Sequence, residues 1–150
     1  MMRILMTAAA FCCVLVGGAS AGELRPGHAS NLCLDVKGGL DQPNGTSIIV
    51  FPCNGGDNQS FTFMGDGTIR AGRRCVDISG GAARAGDRVI IYSCNGGANQ
   101  QWRVGANGEI IGQNNMCLDV PRFGGAGTGV VAWPCKSNGE DRSNQQWGTR

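Results

Sequence analysis

Three kinds of side chain recur together along this 150-residue chain, and their chemistry suits a polyhydroxylated ligand. Each set combines an aspartate, an aromatic residue and an asparagine. A sugar presents a face of C–H bonds, which packs on an aromatic ring, and a rim of hydroxyls, which carboxylate and amide groups bind. An ionised aspartate accepts hydrogen bonds from two neighbouring hydroxyls, and such charge-assisted bonds are the stronger kind. The three sets are Asp35, Phe51 and Asn58; Asp77, Tyr92 and Asn99; and Asp119, Trp133 and Asn144.

The same residue types also have a purely structural interpretation. A repeated aspartate is able to cap a turn, and an aromatic residue in a strand often belongs to the core. A glutamine and, two positions later, an aromatic residue follow each asparagine, and we assign this Q-x-W pattern mainly to the core. Its members are Gln59, Phe61, Gln100, Trp102, Gln145 and Trp147. The joint recurrence of aspartate, aromatic residue and asparagine favours sugar contact for those three.

The residues around each set predict short strands. β-branched runs of strand length precede a cysteine in "SIIVFPC" at 47–53, "RVIIYSC" at 88–94 and "GVVAWPC" at 129–135. Successive side chains of a strand point to opposite faces. The aromatic residue and the aspartate of each set therefore point away from the core when their apolar sequence neighbours point into it.

The sets belong to a threefold internal repeat. The sequences "CLDV" at 33–36, "CVDI" at 75–78 and "CLDV" at 117–120 begin 42 residues apart. We name the repeats α (33–61), β (75–102) and γ (117–147). With about four short strands for each repeat and tight turns between them, the chain is predicted to be all-β, with about twelve strands.

The third repeat lacks a following strand of its own, and the segment 22–25 supplies a match. This segment aligns with "GTIRA" at 67–71 and "GEIIG" at 108–112. It is predicted to pair beside the C-terminus and to close a ring without exposed sheet edges. We therefore predict a β-trefoil of three repeats of about 42 residues, because an open β-sandwich gives no reason for three equal units.

Six cysteines lie outside the N-terminal segment, two in each repeat. The second cysteines, Cys53, Cys94 and Cys135, are 41 residues apart. The period therefore favours one disulfide in each repeat: Cys33–Cys53, Cys75–Cys94 and Cys117–Cys135. Each closes a loop that is worth about 3 kcal/mol in the chain-entropy model.

The N-terminus has the pattern of a secretory signal peptide. Arg3 precedes an apolar run at 4–16, and the small residues Ala19-Ser20-Ala21 follow. The run is shorter than the roughly 20 residues of a membrane-spanning helix. We predict a signal peptide at 1–21, which contains Cys12 and Cys13, a single domain at 22–150, and secretion to an extracellular or periplasmic space.

Charge and composition argue against several other functions. The chain has 13 Lys and Arg residues against 11 Asp and Glu, and the basic residues are scattered singly, apart from Arg73-Arg74. Nothing resembles a nucleic-acid stripe or a basic membrane patch. His28 is the one histidine, so neither a zinc site nor a Ser-His-Asp triad has support. No cofactor, metal or membrane span is predicted.

Three units of C-[LV]-D-[VI], an aromatic residue two positions before the second cysteine, and N-Q-x-[WF] together resemble the ricin B-type lectin domain. This pattern is also known as carbohydrate-binding module family 13. The resemblance covers 22–150. It implies a β-trefoil in which Q-x-W packs the core, and in which the repeated aspartate, aromatic residue and asparagine bind sugar.

The repeats depart from the family pattern in different ways. Many sugar-binding repeats carry a glutamine two positions before the aromatic residue, but these positions hold Ile49, Ile90 and Val131. Repeat α has Phe51, without a polar tip, and Phe61 in place of tryptophan. Repeat γ has four extra residues between Cys135 and Asn144, an insertion that would displace that asparagine. Repeat β departs least, which ranks the sites β, γ, α.

The sequence predicts a secreted, non-catalytic lectin with up to three shallow sugar sites, one in each repeat. The resemblance implies galactose-type or xylan-like glycans, as free oligosaccharides, polysaccharides or cell-surface glycans. A glycoside hydrolase would need a second carboxylate beside each aspartate, and none recurs. The alternative is a β-trefoil protein-interaction or toxin-delivery subunit that does not bind sugar.

Overall fold

The computed structural model describes residues 20–150. Apart from its last two residues, the predicted signal peptide lies outside this range, as do Cys12 and Cys13. Within residues 20–150, no helix has the length and apolar character needed to cross a membrane.

The described residues form thirteen short strands and four single-turn 3-10 helices. The strands are β1 Ala21–Gly22, β2 Leu24–Pro26, β3 Leu32–Val36, β4 Ile48–Pro52, β5 Phe61–Phe63, β6 Ile69–Ala71, β7 Arg74–Ile78, β8 Val89–Ser93, β9 Arg103–Val104, β10 Ile110–Ile111, β11 Met116–Asp119, β12 Val131–Pro134 and β13 Trp147–Thr149. The 3-10 turns are Asp57–Gln59, Ala98–Gln100, Gln113–Asn115 and Pro121–Phe123. Strands β2 to β13 match the predicted number, and β1 is an additional strand that pairs with β5.

Each repeat is built on one antiparallel hairpin, and the three hairpins share a register. Strand β3 pairs with β4, β7 with β8, and β11 with β12. In all three, the first cysteine lies opposite the aromatic residue, as Cys75 lies opposite Tyr92, and the aspartate lies opposite an aliphatic residue, as Asp77 lies opposite Ile90. Directly opposed residues of a pair share a face of the sheet. The aspartate and the aromatic residue therefore lie on the same face in every repeat.

Three further hairpins join the repeats into a closed ring. Strand β5 pairs with β6, and β9 pairs with β10. The last strand, β13, pairs with β2 near the start of the described chain, with Thr149 opposite Leu24. The predicted closure by segment 22–25 is confirmed, and the six hairpins form the predicted β-trefoil.

The core lies on the inner side of these hairpins. It contains Ile48 and Val50 of repeat α and the matching residues of the other repeats, all fully buried. The Q-x-W aromatic residues, Phe61, Trp102 and Trp147, are also buried in it. The indole Nε1 of Trp102 donates to the Val76 carbonyl and that of Trp147 to the Leu118 carbonyl, so both polar tips are satisfied.

The three disulfides have the predicted pairing: Cys33–Cys53, Cys75–Cys94 and Cys117–Cys135. Each ties the first strand of a hairpin to the residues that follow the second strand. The disulfides therefore fix the start of the loop that leads from each hairpin to its Q-x-W segment.

The buried tryptophans and the exposed Trp133 should respond differently to the same substitution. We expect Trp102→Phe to lower the free energy of unfolding by about 1–3 kcal/mol, because the buried Val76 carbonyl loses its donor. Trp133→Phe, at an exposed position, should change it by no more than about 0.5 kcal/mol. Urea unfolding measures both, and equal effects of the two substitutions would contradict the core assignment of Q-x-W.

Candidate functional site

Each repeat has a surface hollow that brings its predicted aspartate, aromatic residue and asparagine together. The α hollow is lined by Asp35, Phe51 and Asn58, among others, and has a volume of about 360 Å³. The β hollow contains Asp77, Tyr92 and Asn99 and measures about 280 Å³. The γ hollow contains Asp119, Trp133 and Asn144 and measures about 630 Å³. All nine predicted residues therefore line a hollow with the other members of their set.

The aromatic ring forms the exposed wall of each hollow. Phe51, Tyr92 and Trp133 are 44%, 41% and 46% exposed, although the residues on either side of them in sequence include buried core positions. The aliphatic residues two positions earlier lie on the same face. Ile49 and Ile90 are buried and line the α and β hollows, whereas Val131 is half-buried and is not among the residues that line the γ hollow. In repeats α and β, the position that holds glutamine in many related repeats is thus part of an apolar floor.

The aspartate of each hollow is almost completely buried and is held by the glutamine of Q-x-W. Asp77 is 3% exposed, and Gln100 Nε2 donates to its Oδ2 over 2.8 Å. The equivalent bonds, Gln59 to Asp35 and Gln145 to Asp119, measure 2.8 and 2.7 Å. Sequence reasoning assigned these glutamines to the core and the aspartates to the ligand, and it missed the bond between them.

The glutamine has a second and a third role in the same place. Gln100 Nε2 also donates to the Ser93 carbonyl, and its Oε1 accepts from the backbone N–H of Asn95. Repeats α and γ repeat this arrangement. One buried amide therefore fixes the end of the hairpin, the residue after the second cysteine, and the carboxylate of the hollow.

Burial raises the pKa of Asp35, Asp77 and Asp119 above the ordinary value of 3.8, against the opposing effect of the glutamine and asparagine hydrogen bonds. At Asp119 the charges of Lys136 and His28 also oppose the rise. The bonds to Asp35 and Asp119 from the described residues reach Oδ2, which leaves Oδ1 as an acceptor. At Asp77 each oxygen accepts one bond, Oδ1 from Asn99 Nδ2 over 3.0 Å and Oδ2 from Gln100 Nε2. An ionised carboxylate has about four acceptor positions, so each aspartate retains acceptor capacity for a ligand.

The asparagine amide is anchored from behind. Nδ2 of Asn58, Asn99 and Asn144 donates to the backbone carbonyl of Val36, Ile78 and Val120, respectively. In repeats α and β this arrangement leaves the amide beside the carboxylate at a half-buried position. The four extra residues of repeat γ do not displace Asn144, which contradicts that expectation; the added loop is accommodated on the surface by bonds of Ser137 and Ser143 to Glu140 and Asp141.

Asn144 is nevertheless the least exposed of the nine residues, and a lysine side chain bonds to its amide oxygen. It is 2% exposed, and Lys136 Nζ donates to its Oδ1 over 2.7 Å. Lys136 occupies the position that Asn54 and Asn95 hold in the other repeats, and all three line their hollows. The sequence analysis did not predict a role for this position. The available signal was that a polar residue directly follows the second cysteine of every repeat.

One group of potential metal ligands occurs in the described residues away from the hollows. Donor atoms of Glu23, Cys33 and Cys53 lie within 4.8 Å of one another. Both sulfurs belong to one disulfide, so neither offers the thiolate that a metal would need. His28 lies elsewhere, with Nε2 3.2 Å from the Gly124 carbonyl oxygen.

Comparison with known proteins relates this arrangement to one family. The sequence model of the ricin-type beta-trefoil lectin domain matches residues 20–147. The chain is 38% identical over 121 residues to Serine protease 1 of Rarobacter faecitabidus, in a match that covers 80% of this chain and 22% of the protease. It is 42% identical over 45 residues to a seed lectin of Trichosanthes anguina, covering 30% of this chain and 8% of that lectin. The chain thus spans less than a quarter of either protein.

Among solved structures, the designed threefold symmetric protein ThreeFoil superposes with a TM-score of 0.74. The two sequences are 30% identical, and the match covers 86% of this chain and 96% of ThreeFoil. This likeness agrees with the ring of three repeats.

The pKa shifts predict the order in which aspartates protonate. As the pH is lowered, the carboxyls of Asp35, Asp77 and Asp119 should protonate before those of Asp66 and Asp141, whose pKa is lowered by hydrogen bonds from Thr68 and Ser143. NMR titration of the side-chain carboxyl carbons measures the order. An Asp77 that protonates together with Asp66 would contradict the burial argument.

The same shifts set the sign of their effect on stability. The pKa of the three buried aspartates is higher in the folded protein than in the unfolded chain. Their contribution to the free energy of unfolding is therefore complete at a pH below the unfolded pKa, and it is lost as the pH rises through the folded pKa. Asp66 and Asp141 behave oppositely, and their contribution is lost as the pH falls. We therefore do not expect protonation of these three aspartates by itself to unfold the protein.

Proposed function

Because the chain belongs to the family of ricin-type β-trefoil lectin domains, we propose that it is a non-catalytic carbohydrate-binding protein with one shallow sugar site in each of its three repeats. The observation that carries the proposal is the grouping in every hollow of a buried carboxylate with a half-exposed aromatic ring. The carboxylate retains acceptor positions, and the ring offers a flat apolar surface.

In this proposal each part of the hollow meets a different part of a sugar. The ring of Phe51, Tyr92 or Trp133 packs on the C–H face, and the aspartate below accepts hydrogen bonds from adjacent hydroxyls. Asn58 and Asn99 add an amide beside the carboxylate, and in repeat γ the ammonium of Lys136 stands in front of Asn144. We propose one or two sugar rings as the occupant of each hollow, and the resemblance to the family implies a galactose-type or xylan-like glycan.

The proposal of binding without catalysis is supported by the number of carboxylates. Each hollow is lined by one: Asp35, Asp77 or Asp119. Hydrolysis of a glycosidic bond ordinarily uses two carboxyl groups about 5 to 9.5 Å apart. The match to Serine protease 1 covers 22% of that protein and implies no protease activity in this chain.

We also propose that residues 1–21 are a signal peptide and that residues 22–150 form the secreted domain. Three disulfides in a domain of this size are typical of an oxidising compartment. Cleavage after Ala21 retains Glu23, whose backbone exchanges hydrogen bonds with Arg150 at the closure of the ring.

A glycan array probed with the oxidised secreted protein tests the function. Binding to a coherent set, such as terminal galactosides or xylo-oligomers, is the expected result. A blank array from folded protein with all three disulfides formed would refute sugar binding and favour the alternative, a protein-interaction or toxin-delivery subunit.

Substitution of one hollow aspartate should weaken one site and spare the others. We expect Asp77→Asn to reduce affinity at the β site about tenfold or more. A charge-assisted bond becomes a neutral one, and the new Nδ2 faces one of the two amide donors that the carboxylate now accepts from, Asn99 Nδ2 or Gln100 Nε2. Tyr92 is the one tyrosine of the chain, so a 19F resonance from incorporated 3-fluorotyrosine reports on that site during sugar titration. The indole signal of Trp133 reports on the γ site and should be unaffected.

The matched control is Asp41→Asn, which removes the same charge from an exposed residue outside the three hollows. This variant should bind as the parent protein does. Equal weakening by Asp41→Asn, or unchanged binding by Asp77→Asn, would argue against the assigned role of the hollow carboxylate.

A further inference from the structure

The γ hollow differs from the other two in the turn that follows its aspartate strand. This turn has two residues with positive φ in each repeat. They are Gly38 and Gly39 (81° and 102°), Gly80 and Gly81 (86° and 74°), and Arg122 and Phe123 (56° and 54°). The pairs are 42 positions apart and occupy equivalent places. Two repeats thus use glycine where the third has large side chains.

The left-handed conformation disfavours any residue with a Cβ atom, and glycine adopts it without that penalty. Arg122 and Phe123 therefore destabilise a turn that Gly-Gly forms freely in the same molecule. Non-glycine residues in this conformation concentrate at sites where their side chains have a use. Both side chains line the γ hollow.

Phe123 gives the γ hollow a second aromatic surface. It is 41% exposed, and Lys136 Nζ lies 4.4 Å from the centroid of its ring. The ring of His28 contacts it edge-on, with centroids 5.8 Å apart and an interplanar angle of 86°. The ring is therefore held in place between Lys136 and His28. The γ hollow is also the largest of the three, with a volume of about 630 Å³ against 360 Å³ in repeat α and 280 Å³ in repeat β.

The charge of the lining also differs among the repeats. The β hollow contains Asp77 as its one charged residue, and the α hollow contains Asp35 with Lys37. The γ hollow contains Asp119 with two cations, Arg122 and Lys136. With the carboxylates ionised, the β hollow therefore has a net negative charge, the α hollow is neutral and the γ hollow has a net positive charge.

The two cations of the γ hollow differ in how far they are already bound by other groups of the protein. Lys136 Nζ donates to the Asp141 carbonyl and to Asn144 Oδ1, and it faces the Phe123 ring, so its donors are engaged. The acidic residues near it, Glu140 and Asp141, are engaged by Ser137 and Ser143 and do not line the hollow. Arg122 is exposed and belongs to none of the three salt bridges formed among residues 20–150. Arg122 is therefore the cation that a ligand can pair with.

We propose that the γ hollow selects an acidic sugar, a pyranose that carries a carboxylate or a sulfate group. This inference rests on the proposed sugar-binding function. Arg122 pairs with the anion, Trp133 and Phe123 contact the ring, and Asp119 accepts from its hydroxyls. The fork of a guanidinium matches a planar carboxylate and binds the oxygens of a sulfate as well.

The test compares three probes that share a galactose ring: methyl galactoside, galacturonic acid and galactose 6-sulfate. The 15N–1H signal of the Trp133 indole reports on the γ site, because the other two indoles donate to core carbonyls. We expect the better acidic probe to bind at Trp133 about tenfold more tightly than the neutral one, with a preference that weakens in high salt. Whether the uronate or the sulfate binds more tightly identifies the anion.

Arg122→Gly tests the residue directly and introduces the amino acid that repeats α and β have at this place. We expect the ratio of the affinities for the acidic and neutral probes at Trp133 to fall to about one, and the urea midpoint not to be lowered. Arg73→Gly is the matched control, since it removes the same charge from an exposed residue outside the three hollows. It should keep the preference.

The outcomes separate this proposal from the general function. Equal affinity of Trp133 for neutral and acidic probes, or an acidic preference that survives Arg122→Gly, would overturn the assignment while sugar binding stands. A β site that responds to sugar at Tyr92 while Trp133 responds to none would overturn it too. No response at either reporter to the probes or to any glycan of the array would overturn both.

Discussion

A buried hydrogen bond between glutamine and aspartate is the interaction on which each repeat depends. Gln100, fully buried, holds the carboxylate of Asp77 from a position 23 residues later in the chain. The same amide holds two backbone groups at the end of the hairpin. A buried carboxylate without a hydrogen-bond donor would lower the stability of the fold, so the buried glutamine offsets the cost of burying the aspartate. In the proposed function it also orients that group before the sugar binds, which would reduce the ordering cost of binding.

A steric constraint explains why the sequence "CNGG" occurs at 53–56 in repeat α and again at 94–97 in repeat β. Gly55 and Gly96 have positive φ, at 72° and 74°. A Cβ atom at Gly56 or Gly97 would lie 2.6 or 2.5 Å from the side-chain oxygen of the hollow asparagine, so any other residue would have to displace this amide. Repeat γ holds the equivalent asparagine without this sequence, by means of a longer loop. Two different loop designs thus present the same amide to the same backbone carbonyl position.

Most of the architecture could be predicted because it repeats with a fixed period. The spacing of Cys75 and Cys94 and its copies predicted the disulfides, strand alternation predicted that Tyr92 would be exposed, and the resemblance to ricin B-type lectins is confirmed. The Gln100–Asp77 bond was missed because the two residues were assigned to different tasks, one to the core and one to the surface. The burial of Asn144 behind Lys136 was not predicted, because the position of a residue after an insertion depends on the tertiary contacts of the longer loop, and the sequence alone does not show them. The left-handed turn of repeat γ was also invisible, since arginine and phenylalanine do not signal positive φ as glycine does.

The three hollows depend very little on one another. The residues that line the β and γ hollows come from within their own repeat, and the α hollow borrows only Gly127 from outside its own. A substitution of an exposed residue that lines one hollow is therefore expected to leave the other two hollows unchanged. In the proposed function, this independence gives each repeat its own preference. A surface that carries more than one kind of sugar would then be bound by several weak and different contacts made at once.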